Sequence, residues 1–362
     1  MLLIFSITFA NQMMEHEIYM QRCLQLAQLG IGRVAPNPMV GAVLVYNDTI
    51  IGEGYHEYFG EPHAEVNCIN SVKEVNKKLI PKATLYVSLE PCNHFGKTAP
   101  CVNLILQYNI KKVVIGCTDI FTEVNGAGIQ RLKDNGVEVI ENILNSESIK
   151  INKRFFCFHE KRRPFIILKW AMSSNGMIAK ENAKPIKISN EICNRLVHQW
   201  RSEEDAILIG TNTAYIDNPN LTNRLWHGKN PIRLIIDADL KLQNNLNVFN
   251  KEVKTIVFNR VKNLKVENLE FIKIENSKLF IDGINDYCYK QNIQSILVEG
   301  GANTHQHFID ENCWDEARII QNNELLIENG IQSAKFKNET FASSNKILSN
   351  TIYVYYNHFI NE

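Results

Sequence analysis

The stretch Pro62-His63-Ala64-Glu65, read with Pro91-Cys92 and Pro100-Cys101, constrains this chain more than any other. One histidine and two cysteines are the donors of a catalytic zinc site, which keeps its fourth position for water. To share one ion, residues from separate stretches must converge, so the N-terminal part of the chain has to fold around them. Glu65 is not needed as a donor. Two residues beyond the histidine, it is placed to carry protons. His63 and Cys101 both read as helix starts, where free N–H groups and partial positive charge favour a thiolate. Two thiolates and a neutral imidazole cancel the charge of the dication. A water held there ionises near neutral pH.

His-x-Glu followed by Pro-Cys-x-x-Cys is the signature of the zinc deaminases. This chain departs from the short form, because eight residues, not two, separate Cys92 from Cys101. The long form, with His94-Phe95-Gly96-Lys97-Thr98 inside it, resembles the bifunctional deaminase–reductases of riboflavin biosynthesis. The resemblance implies an α/β chain: a cytidine-deaminase-like three-layer domain, then a dihydrofolate-reductase-like α/β domain. It implies one zinc per chain on His63, Cys92 and Cys101, with His94 the competing donor and Glu65 the catalytic proton carrier. The implied substrate is a pyrimidine ribosyl phosphate. Its diaminopyrimidinone ring is deaminated hydrolytically, and its ribosyl side chain is then reduced with NADPH. Asn37, in the Pro36-Asn37-Pro38 loop, would face the pyrimidine, and Lys97 and Thr98 would also meet the substrate. Two other readings stand beside this one. The chain could deaminate another base and use its second half only for binding. It could instead be a structural zinc domain, although such a site closes with four protein donors and needs no Glu65.

A length of 362 residues suits two domains, placed at 13–160 and 161–362 with a boundary near Pro164. Lys and Arg together number 39, as do Asp and Glu, a balance that disfavours a nucleic-acid or membrane-surface binder. Nine cysteines without framework spacing do not read as a disulfide scaffold, and a reducing cytoplasm suits them. Cys68, Cys117 and Cys193 read as small core residues. The apolar segment 1–10 lacks a basic leader and is too short to span a bilayer. A start at Met13 or Met14 is preferred over a secretory signal. A homo-oligomer is expected.

Along the chain, Met20, Leu24, Ala27 and Ile31 mark one apolar helix face over 17–29. Strands are expected at 40–46 and 50–56, joined by an Asn47-Asp48 turn, and at 84–89, 112–117 and 137–141. Helices are expected at 63–71, 102–108 and 126–135. The basic, aromatic run from Lys150 to Arg163 reads as an interdomain connector with a partly buried aromatic side, in preference to a nucleic-acid patch. Beyond it, strands are expected at 165–170, 206–210, 232–237, 253–259 and 295–299, with 352–356 at a sheet edge, and a helix at 191–200.

No G-x-G-x-x-G follows a strand in the second half. Instead, Val298-Glu299-Gly300-Gly301-Ala302 ends a strand, turns on two glycines and opens a helix whose N–H groups suit a phosphate. With Leu168-Lys169, Trp200-Arg201, Gly210-Thr211, the run from Asp217 to Arg224 and that from Arg233 to Asp237, it resembles the reductase half of the same family. By that resemblance Thr213, Asp217, Gly300 and Gly301 meet the cofactor. Arg201, Leu221, Arg224 and Glu299 meet the substrate, and guanidinium forks suit a sugar phosphate. The chain departs from the family at Pro185-Ile186-Lys187-Ile188-Ser189, where relatives often have a Ser and a Trp. Lys187 could supply a charge for the cofactor instead.

Overall fold

Two runs, Thr84–Leu89 and Lys112–Cys117, are apolar on both faces, and such strands belong in the middle of a covered parallel sheet. The computed structural model, which describes residues 2–94, 99–120, 126–181, 186–275, 277 and 279–357, places them there. The chain divides into two compact units, Met1–Lys161 and Arg162–Glu362.

The first unit runs α1 (Leu2–Gln28), β1 (Gly41–Tyr46), β2 (Thr49–Tyr55), α2 (Ala64–Asn70), β3 (Thr84–Leu89), α3 (Cys101–Gln107), β4 (Lys112–Cys117), α4 (Ala127–Asp134), β5 (Glu138–Ile140), α5 (Asn145–Ile151) and α6 (Lys153–Lys161). Its sheet has the order β2-β1-β3-β4-β5. β1 pairs antiparallel with β2 and β3, while β3, β4 and β5 are parallel. Asn47 and Asp48, at φ 47 and 57, make the left-handed pair that a two-residue hairpin requires. Successive side chains leave a strand on opposite faces. Leu44, Leu85 and Ile115 therefore face α2, α3 and α4 through Cys68, Ile105 and Leu132. Val43, Tyr86 and Val114 face Met20 and Cys23 of α1. The result is three layers, helix on sheet on helix. The helix expected over 17–29 extends back to Leu2.

The Lys150–Arg163 run, expected to have a partly buried aromatic side, reaches the division between the units at Lys161 and is largely helical. Its centre is α6, which buries Phe155, Phe156, Cys157 and Phe158. Phe155 and Phe156 pack on Leu89 and Cys117 at the ends of β3 and β4. Aromatic side chains of that size stabilise by burial, and four consecutive buried residues mean that this part of the helix is covered on most sides.

The second unit continues with β6 (Phe165–Met172), β7 (Met177–Lys180), α7 (Glu191–Glu203), β8 (Ala206–Gly210), α8 (Thr211–Asp217), β9 (Ile232–Ile236), β10 (Thr255–Asn259), β11 (Leu264–Val266), β12 (Leu269–Lys273), α9 (Phe280–Lys290), β13 (Ser295–Val298), α10 (Ala302–Asp310), β14 (Glu316–Asn322), β15 (Gly330–Gln332), β16 (Glu339–Ile347) and β17 (Asn350–Asn357). Ten strands form one sheet in the order β11-β12-β10-β9-β8-β13-β6-β14-β17-β16, and β15 pairs with β7. From β12 to β14 the neighbours are parallel. Alternation again separates two cores. Leu168, Leu208, Leu234, Phe258 and Ile296 line one face, and Ile207, Ile209, Ile235 and Val257 the other. The strand read at 352–356 is not an edge. β17 lies between β14 and β16, and β16 is the outer strand, solvent-exposed at all but its last residue. Among the described residues no helix is long and apolar enough to cross a membrane.

Candidate metal centre and second site

His63 ends an extended segment as the N-cap of α2, at φ −72 and ψ 166, and its side chain makes no capping bond. That leaves the ring free to face the cysteines. α2 in turn sits close on β2. A Cβ on Gly54 would lie 2.2 Å from the Cys68 nitrogen, so only glycine admits the helix at this depth. Cys92 follows the end of β3, and Cys101 is the first residue of α3. The donor atoms of His63, Cys92 and Cys101 all lie within 4.8 Å of one another. His63 Nδ1 is 3.5 Å from Cys92 Sγ and 3.4 Å from Cys101 Sγ. A tetrahedral zinc, with Zn–S of about 2.3 Å and Zn–N of about 2.0 Å, sets nitrogen and sulfur about 3.5 Å apart. The donor set and its spacing therefore fit zinc.

The electrostatics point the same way. The Cys92 thiol is pulled down to about 4, first by its hydrogen bond with Cys101 and then by His63. The Cys101 backbone N–H also donates to its sulfur at 3.3 Å. Cys101 moves the other way, raised by the same partner and by burial. The two shifts oppose each other because the sulfurs are close neighbours, and a dication between them favours the thiolate of both. Glu65, in the first turn of α2, is 3 % exposed. Burial, then the charge of Cys92, raises its pKa, the direction a proton carrier needs. Cys92→Ser and Cys101→Ser proteins, dialysed and measured for metal, are expected to retain less than about a tenth of the zinc of the parent chain. Full retention in both would remove this site.

Neighbouring residues hold the centre in place. His56 Nδ1 lies 3.1 Å from the Pro62 carbonyl, which can only accept, so His56 Nε2 accepts from Asn37 Nδ2 at 3.1 Å. The Asn37 amide oxygen is thereby turned away from His56. Glu90, two residues before Cys92, accepts from the backbone N–H groups of Gly128, Ile129, Gly126 and Asp119 at 2.9 to 3.2 Å, and so ties the start of α4 to the end of β3. Arg131 of α4 donates to Asn93 Oδ1 and Asn103 Oδ1 at 2.7 and 2.6 Å, bridging the two flanks of the loop between the cysteines. His56, Glu90 and Arg131 carry no local sequence signal for these roles. Lys97 and Thr98 lie outside the described residues, as does Pro185 in the second unit.

In that unit, β13 enters between β8 and β6, and all three are parallel. The C-terminal ends of β8 and β13 therefore lie side by side, where open α/β sheets take ligands. Gly210 ends β8 and Gly300 lies two residues past β13, and both are glycine for a reason. A Cβ on Gly210 would lie 2.6 Å from Thr304 Oγ1, and one on Gly300 2.6 Å from Thr304 Cβ, so side chains would lift α10 away. Gly301, the N-cap of α10, is more open. An added Cβ there would meet only Thr213 Oγ1, at 3.5 Å. The turn and the helix start thus leave backbone N–H groups open beside Thr213. Asp217 closes α8 and is exposed. Lys187 is on the surface, 3.6 Å from Glu191.

Glu299 follows β13 and is gripped from two sides. Arg201 Nε and Nη2 donate to its two oxygens at 2.8 and 2.9 Å, and Lys169 Nζ lies 3.5 Å away. Burial alone would raise the Glu299 carboxyl, but Arg201 and then Lys169 hold it down at about 2. Arg201 also donates through Nη1 to the Thr222 carbonyl at 3.3 Å, and Arg224 Nη1 donates to Thr222 Oγ1 at 2.8 Å. The Arg224 backbone N–H donates to His198 Nδ1 at 2.9 Å. Burial, then Arg201 and Arg224, push His198 down to about 4, which keeps it a neutral acceptor. Lys169, Arg201 and Arg224 against Glu299 leave this corner positive. Leu221 is placed differently from its expected role. Its side chain is 3 % exposed and packs with Ile207, Ile209 and Ala214, so only its backbone can meet a ligand. Thr222 and His198 were missed from the sequence. His198 precedes Arg201 by three residues on α7, a spacing that puts both on one helix face.

Comparison with known proteins follows the same division. The cytidine and deoxycytidylate deaminase zinc-binding region matches residues 13–117, and the RibD C-terminal domain matches 164–326. The chain is 36% identical to the riboflavin biosynthesis protein RibD of Aquifex aeolicus (strain VF5), over 83% of this chain and 85% of that one. It is 36% identical to RibD of Bacillus amyloliquefaciens, over 83% and 82%. The solved structure of a diaminohydroxyphosphoribosylaminopyrimidine deaminase/5-amino-6-(5-phosphoribosylamino)uracil reductase from Thermotoga maritima superimposes with a TM-score of 0.88. It is 33% identical, and the match covers 96% of this chain and 99% of that one.

Proposed function

The chain belongs to the RibD family of riboflavin biosynthesis, and from that premise we propose which of its residues carry each step. It is a bifunctional enzyme with a zinc-binding deaminase domain followed by a reductase domain. We place the deaminase at 13–160 and the reductase at 161–362.

His63, Cys92 and Cys101 hold the zinc. With zinc bound there, the site would offer a water that ionises near neutral pH. Glu65 would take a proton from the hydrolytic water that adds to C2 of the diaminopyrimidinone. The same carboxyl hands it to the ring nitrogen and then carries a proton to the departing ammonia. Asn37 orients the ring, with its amide oxygen fixed by His56 as an acceptor for a ring N–H or amino group. Lys97 and Thr98 complete the substrate contacts in this reading. The observation that carries it is the cluster of three donor atoms within 4.8 Å, with a buried carboxyl in the first turn of the adjoining helix.

For the second step, Thr213, Asp217 and the Gly300-Gly301 turn take NADPH, which supplies the hydride for C1 of the opened ribose. Arg224 and the outer edge of Arg201 take the substrate phosphate. Glu299 and the backbone at Leu221 face the sugar. The product is the ribitylamino uracil phosphate. None of the nine cysteines is in a disulfide, and a cytoplasmic setting suits that. The test supplies the deaminated substrate directly and follows NADPH absorbance. Stoichiometric oxidation of NADPH is expected, and an inert wild-type chain would refute the reductase assignment.

A further inference from the structure

We infer that Thr222 is the positioning residue that spaces the two guanidinium groups at the substrate phosphate. The inference rests on the roles given above to Arg201 and Arg224. Thr222 is 4 % exposed and presents one acceptor to each arginine: its carbonyl to Arg201 Nη1 and its hydroxyl to Arg224 Nη1. The chain reaches this arrangement through an unusual backbone. Leu221 has φ 53, a left-handed conformation that a leucine rarely adopts. Its side chain is locked in the core, and the segment is pinned upstream where Asn218 Oδ1 accepts from the Asn247 N–H at 2.7 Å. Downstream, the Asn223 N–H donates to Asn230 Oδ1 at 2.7 Å and the Arg224 N–H to His198. The backbone on both sides of Thr222 is therefore fixed.

Counting donors shows what this fixing achieves. A guanidinium has five N–H groups. Arg201 commits its Nε–H and one Nη2–H to Glu299 and one Nη1–H to Thr222. One N–H on each of its terminal nitrogens remains. Arg224 commits one Nη1–H to the threonine hydroxyl. Its other donors stay available, but the rest of its long side chain is exposed. Without the hydroxyl, Arg224 would have to be ordered by the phosphate itself, and that entropy would be taken from binding. The sugar phosphate is remote from C1, so the hydride step does not feel the change. Thr222 thus sets affinity for the phosphorylated substrate and not the rate of reduction.

Thr222→Val keeps the branched shape and removes the hydroxyl. With the deaminated phosphate substrate and NADPH, KM should rise about tenfold, the loss of one hydrogen bond to a charged group. The kcat should stay within about twofold. Thr222→Ser, which restores the hydroxyl, should return KM to near the wild-type value. Thr222→Ala should behave as the valine variant does, which keeps the test open if valine does not fold. On the unphosphorylated counterpart of the substrate, wild type and variants should be alike. An unchanged KM in both hydroxyl-less variants overturns the inference, as does an equal loss on phosphorylated and unphosphorylated substrates. If the wild-type chain itself does not discriminate between the two substrates, the assignment of Arg201 and Arg224 fails instead.

Discussion

Glu65→Gln should keep its zinc and lose deamination by at least about a hundredfold. Glutamine has the same length and fits the same first turn of α2, so the three metal donors are undisturbed. What it lacks is a proton acceptor. The carboxyl is 3 % exposed, and bulk water cannot easily substitute for it. Burial and then Cys92 raise its pKa, the direction that favours holding a proton. Three measurements together check the prediction: zinc content, ammonia release, and NADPH oxidation with deaminated substrate. The first and third should match wild type. Near-normal ammonia release from the zinc-loaded variant would end the proposed role.

Arg201→Ala should damage the second unit more than a lost surface contact would. Arg201 and Glu299 have side chains 12% and 10% exposed, and removing the arginine leaves a buried carboxylate with only Lys169 at 3.5 Å. Breaking a buried pair from one side costs on the order of 3 kcal/mol. Reductase kcat/KM should fall at least roughly thirtyfold. The pH dependence has a definite sign. Glu299 is held at about 2 against an ordinary glutamate value of 4.5, so the folded state binds its proton less readily than the unfolded state. The stabilisation is complete above about pH 4.5 and is lost as pH falls toward about 2. In the variant the carboxyl titrates higher, so the stability gap between the two proteins should narrow as pH drops from 7 to 4. Denaturant unfolding followed at both pH values measures this. A gap that is absent at pH 7, or that widens in acid, would contradict it.

The metal centre was legible in the sequence because its parts are local. His63 and Glu65 occupy the cap and first turn of one short helix, and Cys92 and Cys101 flank one loop. Strands β1, β3 and β4 were legible because their runs are almost wholly apolar, and β2 because the Asn47-Asp48 turn precedes it. The second site was harder, since its geometry is made by partners far apart in the chain. Arg201 and Glu299 are separated by 98 positions, and no local pattern says that the fork is spent on a protein carboxylate before any phosphate arrives. Leu221 illustrates a different loss. A residue type and a position can suit a ligand while the side chain turns into the core. For α6 the buried aromatic side was legible but the helix was not, because four consecutive buried residues show no 3.6-residue periodicity. β16 escaped notice because Glu339–Ile347 is exposed almost throughout and so shows no two-residue alternation.

The central place of β13 also sets an order in time. β6 pairs with it from Phe165 to Ser295, and β8 from Ala206 to Ile296. A ribosome adding about 5–20 residues each second needs on the order of ten seconds to pass from β6 to β13. The sheet of the first unit has been complete since β5, and its metal donors were made earlier still. A nascent chain can therefore own a finished deaminase while Glu299 and the Gly300-Gly301 turn do not yet exist. Throughout that interval β6 and β8, among the most apolar strands of the protein, have no shared neighbour between them, and their unpaired edges are open to other chains.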